Sequence, residues 1–184
     1  LLRRADEMHV NMRRVAAVFI THEHSDHVSG LRVFSNCFDV PVFTTPGTAQ
    51  VLSGRAGTTG ITFSEIARDS VTHIGEIAVH AFPTSHDVAE PIGMRFSLFD
   101  EKDLETDSIG YCTDTGILTD DALLRLAGAR ILALESNHDE HMLATGSYPQ
   151  MLKSRVGGPC GHLSNEQAAH AVMELVSDCT EAVV

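Results

Sequence analysis

Tryptophan is absent from this sequence of 184 residues, and only two tyrosines occur in it. Basic side chains are also few, since 13 lysines and arginines stand against 25 acids and give a formal net charge of −12. No global positive field is therefore available to attract nucleic acid or anionic lipid, so such a partner needs a local site. The 43% share of hydrophobic residues nevertheless suits one globular domain with a single core.

Long apolar runs are missing as well. The longest, residues 15–20, is far too short to cross a bilayer, and no apolar core or cleavage site of a signal peptide follows the basic N-terminus. The cysteines lie far apart and form no CxxC pair, which is typical of reduced thiols in the cytosol: Cys37, Cys112, Cys160 and Cys179. We therefore predict a cytoplasmic protein that has no membrane as partner.

Apolar segments recur along the chain without repeats or linkers, which predicts a single domain of the α/β class over residues 1–184. The acidic stretch 100–107 is interpreted as a solvated loop. At 164–167, Ser164 and Gln167 have the spacing of a capping box. The predicted strands are 15–21, 41–45, 70–74, 77–83, 92–99, 108–113, 130–134 and 180–184, and the predicted helices include 27–38, 48–52, 120–126 and 168–176.

Histidine is what the sequence has in abundance, with 11 residues. The segment THEHSDH, residues 21–27, stands where a buried strand gives way to a helix. His22 and His24 are two apart on extended backbone, so they project to the same side and can grip one cation. Asp26 and His27 follow at the turn and offer a carboxylate and an imidazole to a second metal. The alternatives are a solvent-exposed histidine-rich loop and an adventitious metal site.

Three further polar residues lie at the ends of other predicted elements. His86 follows the strand that ends at residue 83, Asp114 follows the strand 108–113, and His162 precedes the capped helix. Because polar residues at the ends of separate strands converge on one rim of a sheet, all three are candidate metal ligands. Taken singly, each has a plain alternative: a loop histidine, a turn-forming aspartate and a helix N-terminal residue.

Taken in chain order, the histidines and aspartates of residues 21–27 followed by His86, Asp114 and His162 resemble the metal-binding motif of the metallo-β-lactamase-fold hydrolases. The surrounding segments resemble the YycJ/WalJ branch, bacterial enzymes regarded as 5′ to 3′ exonucleases: THEHSDHVSG at 21–30, SHD at 85–87 with PIG at 91–93, YCTDTG at 111–116, LESNHD at 134–139 and GHLSN at 161–165. The resemblance implies a four-layer αββα sandwich. Compared with that fold, we expect this chain to lack N-terminal strands and the C-terminal end.

The resemblance also implies a dinuclear centre of zinc or manganese, with iron as a further candidate. It places His22, His24 and His86 on the first metal, Asp26, His27 and His162 on the second, and Asp114 between them. Two divalent cations against two ligating aspartates leave the pocket net cationic, so it can hold a phosphate. For such a centre we expect a metal-activated hydroxide to attack phosphorus in line and the metals to neutralise the charge on the phosphoryl oxygens.

Four side chains receive roles around this centre. Asp26 and His138 are the candidate catalytic residues, with His138 as a substrate contact or proton donor. An alternative for the cluster around His138 is a cap on a helix that starts near residue 139, with Ser136 or Asn137 as the capping residue. Asp87 and Glu135 are candidates for orienting ligand histidines.

Three hypotheses of function follow. The first is a metal-dependent phosphodiesterase, a 5′ to 3′ exonuclease with DNA as partner. The second keeps the site but changes the substrate to a small molecule, namely a phosphodiester, thioester or lactam, which the acidic net charge favours. The third is a metal-stabilised binding domain without turnover, against which the large ligand set argues. Oligomeric state is not readable from the sequence.

Overall fold

The computed structural model describes residues 2–184, with side chains from Arg3 onward. The chain forms two compact units: unit 1 contains the residues up to 67 together with 88–90, and unit 2 contains 68–87 together with 91–184. Within the described part of the chain, no helix is long and apolar enough to cross a membrane. That residues 1–184 act as a single domain stays a prediction.

Unit 1 is built on a small parallel sheet. Its strands lie in the order β1 (Val18–Phe19), β2 (Val42–Thr44) and β3 (Phe63–Glu65). The helices are α1 (Leu2–Glu7), α2 (Ser25–Val28), α3 (Leu31–Cys37) and α4 (Pro46–Ser53), with short 3-10 turns at Met12–Arg14 and Ala56–Thr58. Apolar side chains from the strands and helices form its core: Ile20, Val28, Leu31, Val42 and Leu52.

Two expectations for unit 1 were wrong in their bounds, and one strand was not predicted. The predicted strand 15–21 pairs with β2 only at Val18–Phe19. The predicted helix 27–38 is two helices, α2 and α3, that are separated at Ser29 and Gly30, residues with low helix propensity. Strand β3 was not predicted, because a strand this short is defined by its pairing with β2 rather than by its own sequence.

Unit 2 contains a mixed sheet of six strands in the order β4 (Val71–Ile74), β5 (Ile77–Pro83), β6 (Ile92–Phe99), β7 (Glu105–Cys112), β8 (Ile131–Leu134) and β9 (Ala182–Val183). Strands β4 to β7 pair antiparallel, whereas β7, β8 and β9 pair parallel. Its helices are α5 (Asp120–Leu126), α6 (Glu140–Thr145), α7 (Gln150–Val156) and α8 (Asn165–Leu175).

The core of unit 2 lies around the fully buried Phe82 of β5 and the residues of α5, β8 and α8 that pack with it. Phe82 pairs with Gly93 across the sheet, and a Cβ at Gly93 would collide with the Phe82 ring. The predicted capping box is confirmed, since Ser164 accepts from the backbone of Gln167 and the Gln167 side chain accepts from the Ser164 N–H.

The acidic stretch 100–107 is not all loop, because β7 begins at Glu105. Glu105 is held by Arg95 of β6, with Nη2–Oε2 and Nε–Oε1 distances of 2.5 and 2.9 Å. Asp107 pairs with Arg130, with an Nε–Oδ1 distance of 2.6 Å. Charge density alone predicted a loop, whereas ion pairing across the sheet keeps this segment in a strand.

The sheet order places three strand ends at one edge of unit 2. β5 and β7 each pair antiparallel with β6, so they run in the same direction, and β8 runs parallel to β7. Their carboxyl ends therefore lie at the same edge, which is where α/β sheets carry ligand sites. His86, Asp114 and Glu135 follow these three strands.

Candidate metal centre

Unit 2 brings three of the predicted ligands together. His86, Asp114 and His162 each offer one ligand atom, and these atoms lie within 4.8 Å of one another. The two imidazole rings have a centroid distance of 5.0 Å and an interplanar angle of 61°. Side chains separated by 76 residues of sequence, from His86 to His162, thus form one cluster of nitrogen and oxygen donors.

His86 is fixed by a backbone carbonyl. Its Nδ1 lies 3.0 Å from the oxygen of Gly161, and because a carbonyl can only accept, Nδ1 carries the proton and Nε2 has a lone pair for a cation. A Cβ at Gly161 would collide with the carbonyl oxygens of Arg155 and Val156. Only glycine lets this backbone reach His86, a requirement that sequence reasoning did not identify.

His162 is fixed by a buried carboxylate. Glu135 Oε2 lies 2.9 Å from His162 Nδ1, and Glu135 Oε1 accepts from the backbone N–H of Thr115 at 2.6 Å and of Leu163 at 3.3 Å. The Glu135 hydrogen bond raises the pKa of His162 above its ordinary value. It also leaves Nε2 as the donor atom, which is the arrangement of carboxylate–histidine pairs at metal sites.

Asp114 lies in the segment that connects the end of β7 to the start of α5. Its φ of 55° lies in the left-handed region, which aspartate tolerates better than most residues. The next residue, Thr115, is fully buried, and its hydroxyl accepts from the Ser85 N–H at 3.1 Å. Gly116 N–H in turn donates to the Ser85 carbonyl at 2.8 Å. The loops that carry His86 and Asp114 are therefore bonded to each other.

Asp87 is exposed and binds Arg155 of α7, with Nε–Oδ2 and Nη2–Oδ1 distances of 2.5 and 3.3 Å. Its Oδ1 also lies 3.8 Å from His86 Nε2. The atom that holds His86 Nδ1 is the Gly161 carbonyl, so the contact of Asp87 with its histidine is weaker than that of Glu135. The orienting role of Asp87 stays a prediction.

In unit 1 the histidines of the THEHSDH loop lie together. His22 is almost fully buried, and its Nδ1 lies 3.1 Å from the Thr21 hydroxyl. The His22 ring has centroid distances of 4.8 Å to His24 and 4.0 Å to His27. The Asp26 side chain is 78% exposed, with Oδ2 3.6 Å from His27 Nε2. This loop thus presents three imidazoles and one accessible carboxylate.

Glu23 is a residue of this loop that sequence reasoning passed over. Its buried side chain accepts from the Ala89 N–H at 2.8 Å and from the Thr48 hydroxyl at 3.3 Å, while its carbonyl accepts from Arg55. An acid between two histidines on extended backbone points to the opposite side, and a buried acid needs partners. That alternation was the available signal. Glu23 fixes the backbone on which His22 and His24 stand.

His138 lies beside the start of α6. The cap of that helix is Asp139, which accepts from the Met142 N–H at 2.8 Å, rather than Ser136 or Asn137. The His138 carbonyl accepts from the Asn165 N–H at 2.8 Å. Its Nδ1 is buried, and within residues 2–184 it has no hydrogen-bond partner. His138 is therefore not used for capping, and its role stays a prediction.

A model of the β-lactamase superfamily domain matches residues 2–179. The chain belongs to this superfamily. It is 35% identical over 176 residues to the exodeoxyribonuclease YycJ of Bacillus anthracis, covering 95% of this chain and 64% of that protein. It is 31% identical over 172 residues to the exodeoxyribonuclease WalJ of Streptococcus pneumoniae, covering 91% and 61%. This chain thus spans less than two thirds of the length of each of these two relatives.

Solved structures agree on the fold of this superfamily member. Zn²⁺-bound PqqB from Methylobacterium extorquens superposes with a TM-score of 0.69 at 18% identity, covering 91% of this chain and 62% of PqqB. The predicted α/β class, the metallo-β-lactamase fold and the resemblance to the YycJ/WalJ branch are confirmed. The fold implies divalent metal binding, and the donor set of unit 2 fits it, because both histidines offer Nε2 while a carbonyl or a carboxylate holds Nδ1.

Proposed function

We propose that this chain is the metal-binding part of a phosphodiesterase that degrades DNA from its 5′ ends. The observation that carries the proposal is the cluster of His86, Asp114 and His162, in which Gly161 and Glu135 fix the two rings from behind. A metal held only for structure has a closed set of four ligands and no need for the further histidines of residues 21–27. The similarity to YycJ supports DNA as the substrate.

The proposed centre holds two divalent ions. We assign His22, His24 and His86 to the first, Asp26, His27 and His162 to the second, and Asp114 to both. Support comes from the family resemblance and, within each unit, from the clustering of the donors. Imidazole and carboxylate suit zinc, manganese or iron, and the zinc of PqqB makes zinc the first ion to test.

Bound cations supply an activated water and positive charge beside the phosphoryl oxygens. The side chains of this protein have the remaining tasks. His86 and His162 keep Nε2 aimed away from the groups that hold Nδ1, so the donors are preorganised. His138 has an imidazole that can give a proton to the leaving oxygen or contact the substrate, and it is the proposed proton donor.

A second candidate function is hydrolysis of a small phosphodiester, thioester or lactam by the same centre. The net charge of −12 favours it, because a long DNA strand is usually tracked by basic side chains. A metal-binding domain without turnover is the third. A cytoplasmic setting remains part of the proposal, since all four cysteines are free thiols.

The test is a metal analysis joined to a nuclease assay. Protein purified without chelator is analysed for bound metal and incubated with 5′-labelled and 3′-labelled DNA, with zinc or manganese. Asp26→Ala removes an exposed candidate ligand, so we expect a loss of roughly 100-fold in activity with unchanged thermal unfolding. Asp39→Ala, an exposed aspartate of the same unit, is the control and keeps full activity.

Two outcomes contradict the proposal. Metal-loaded protein that cleaves small esters but no DNA supports the second candidate function. Protein that unfolds on the Asp26→Ala change and cleaves nothing supports a purely structural metal site.

A further inference from the structure

A cavity lies in unit 2, at the connection between α6 and α7. The cavity has a volume of about 560 Å³, and the residues important for its chemistry are Asn137, His138, Met142, Leu143, Tyr148 and Asn165. Pockets for small ligands have volumes of roughly 300 to 1,000 Å³. The cavity is therefore large enough for one planar heterocycle, and His138 is the lining residue that already has a proposed role.

The apolar wall of this cavity is unusually exposed. Tyr148 is 57% exposed and Met142 is 72% exposed. Tyr148 is one of only two tyrosines in the sequence. Single-stranded nucleic acid binds by stacking bases on such accessible aromatic rings. The methionine thioether is a polarizable, adaptable partner for a second ring. This wall thus offers both a flat platform and a flexible cover.

The polar wall offers hydrogen bonds of the kind found on base edges. Asn165 Oδ1 accepts from the Ser136 hydroxyl at 2.8 Å, which leaves its NH₂ group as a donor. Asn137 adds a second amide. His138 Nδ1 is buried and, among residues 2–184, has no partner in the structure. Solvent does not reach this atom, so the exposed amides of Asn137 and Asn165 are the accessible polar groups of the wall.

Backbone hydrogen bonds connect this cavity to the segment of a candidate ligand. Asn137 N–H donates to the Leu163 carbonyl at 3.1 Å, and Asn165 N–H donates to the His138 carbonyl at 2.8 Å. Leu163 directly follows His162. Since Asn165 is three residues beyond His162, the two Cα atoms are at most roughly 10 Å apart. Neighbouring nucleotides of one strand can span that distance.

We propose that this cavity binds a nucleobase of a single DNA strand, with Tyr148 as its stacking platform. The proposal rests on the proposed function, because it names how the same enzyme holds its substrate. It also explains how a protein with a net charge of −12 can bind a DNA strand. The nearby basic side chains are engaged, since Lys153 donates to the Ala144 carbonyl at 2.6 Å and Arg155 binds Asp87. Stacking of a base on Tyr148 then provides the binding energy that a row of basic side chains would otherwise provide.

The experiment compares Tyr148→Ala and Tyr148→Phe with wild type in the full chain. The substrates are a single-stranded oligonucleotide, the same oligonucleotide with abasic residues at its 5′ end, and bis(p-nitrophenyl) phosphate. We expect Tyr148→Ala to raise KM for the intact oligonucleotide about 10-fold and to leave the other two substrates unchanged. Tyr148→Phe keeps the ring and behaves as wild type. Leu124→Ala, at an exposed position of α5, is the control.

An unchanged KM for the intact oligonucleotide in Tyr148→Ala overturns the cavity proposal and leaves the proposed function standing. If wild type does not cleave DNA, whether or not it cleaves the small diester, the proposed function fails, and anisotropy titration of a labelled oligonucleotide then decides about the cavity. Weaker binding by Tyr148→Ala than by wild type supports the cavity. Equal binding by the two proteins, or no binding by either, overturns it.

Discussion

The two units of this chain present their candidate metal ligands in different ways. In unit 1 the donors come from one continuous loop, residues 21–27, and the buried Glu23 holds that loop through the Ala89 N–H and the Thr48 hydroxyl. In unit 2 the donors come from three distant segments, and the buried Glu135 bonds directly to a donor ring, that of His162. One glutamate positions backbone, whereas the other positions an imidazole.

This difference has a chemical consequence. A carboxylate on Nδ1 fixes the tautomer of the ring and makes its Nε2 more basic, so Glu135 acts on the strength of a metal bond. The Glu23 side chain instead accepts from the Ala89 N–H and the Thr48 hydroxyl, and these contacts determine the position of the loop backbone. We therefore expect metal affinity to depend on the charge of Glu135 in unit 2. In unit 1 we expect it to depend on the hydrogen-bonding shape of Glu23 and not on its charge.

The largest expected effect concerns whether the two units unfold together. Leu52 of unit 1 and Leu126 of unit 2 are both fully buried in their own cores, so truncation of either to alanine costs about 2 to 5 kcal/mol. If residues 1–184 form one domain, Leu52→Ala and Leu126→Ala lower the midpoint of the same single transition in urea, followed by circular dichroism. Two transitions, each shifted by only one variant, contradict the single domain.

A comparison of the glutamates gives the next effect. Glu135→Gln places an NH₂ group or a weaker oxygen against His162 Nδ1, so we expect zinc affinity to fall roughly 10- to 100-fold. Glu23→Gln keeps an acceptor for the Ala89 N–H and should change zinc affinity by less than about 3-fold. Competition with a chromogenic chelator measures both values. Equal losses in the two variants show that the glutamates do the same work.

Local signals in the sequence were sufficient for several elements. Strand β6 (Ile92–Phe99) and helix α5 (Asp120–Leu126) have the predicted bounds, because apolar alternation and an acidic helix start are properties of the segments themselves. Strand β3 could not be found in this way, since Phe63–Glu65 is a strand only through its pairing with β2. Its existence depends on a neighbour that is distant in sequence.

The candidate site divides in the same manner. The clustering of His86, Asp114 and His162 could be predicted because histidine and aspartate at strand ends leave a visible motif, whereas their role as ligands stays a prediction. The groups that hold them could be predicted only in part. Glu135 was among the candidates, but the Gly161 carbonyl under His86 and the Ala89 N–H under Glu23 are backbone contacts across long stretches of chain. Such contacts depend on the folded path and are not encoded in a side-chain type.

The smallest expected effect concerns the Arg95–Glu105 ion pair in the sheet of unit 2 and its contribution to stability at acid pH. The hydrogen bond from Arg95 holds the pKa of Glu105 below its ordinary value. The unfolded chain therefore binds this proton more readily, and the stability due to the pair is lost as the pH falls below about 4.3.

Urea unfolding at pH 6 and pH 3.5 should show wild type losing about 1 kcal/mol more than Glu105→Gln over this interval. Glu101→Gln, in the exposed loop before β7, should lose as much as wild type. An identical pH dependence in Glu105→Gln and wild type would show that the ion pair contributes nothing to the acid response of unit 2.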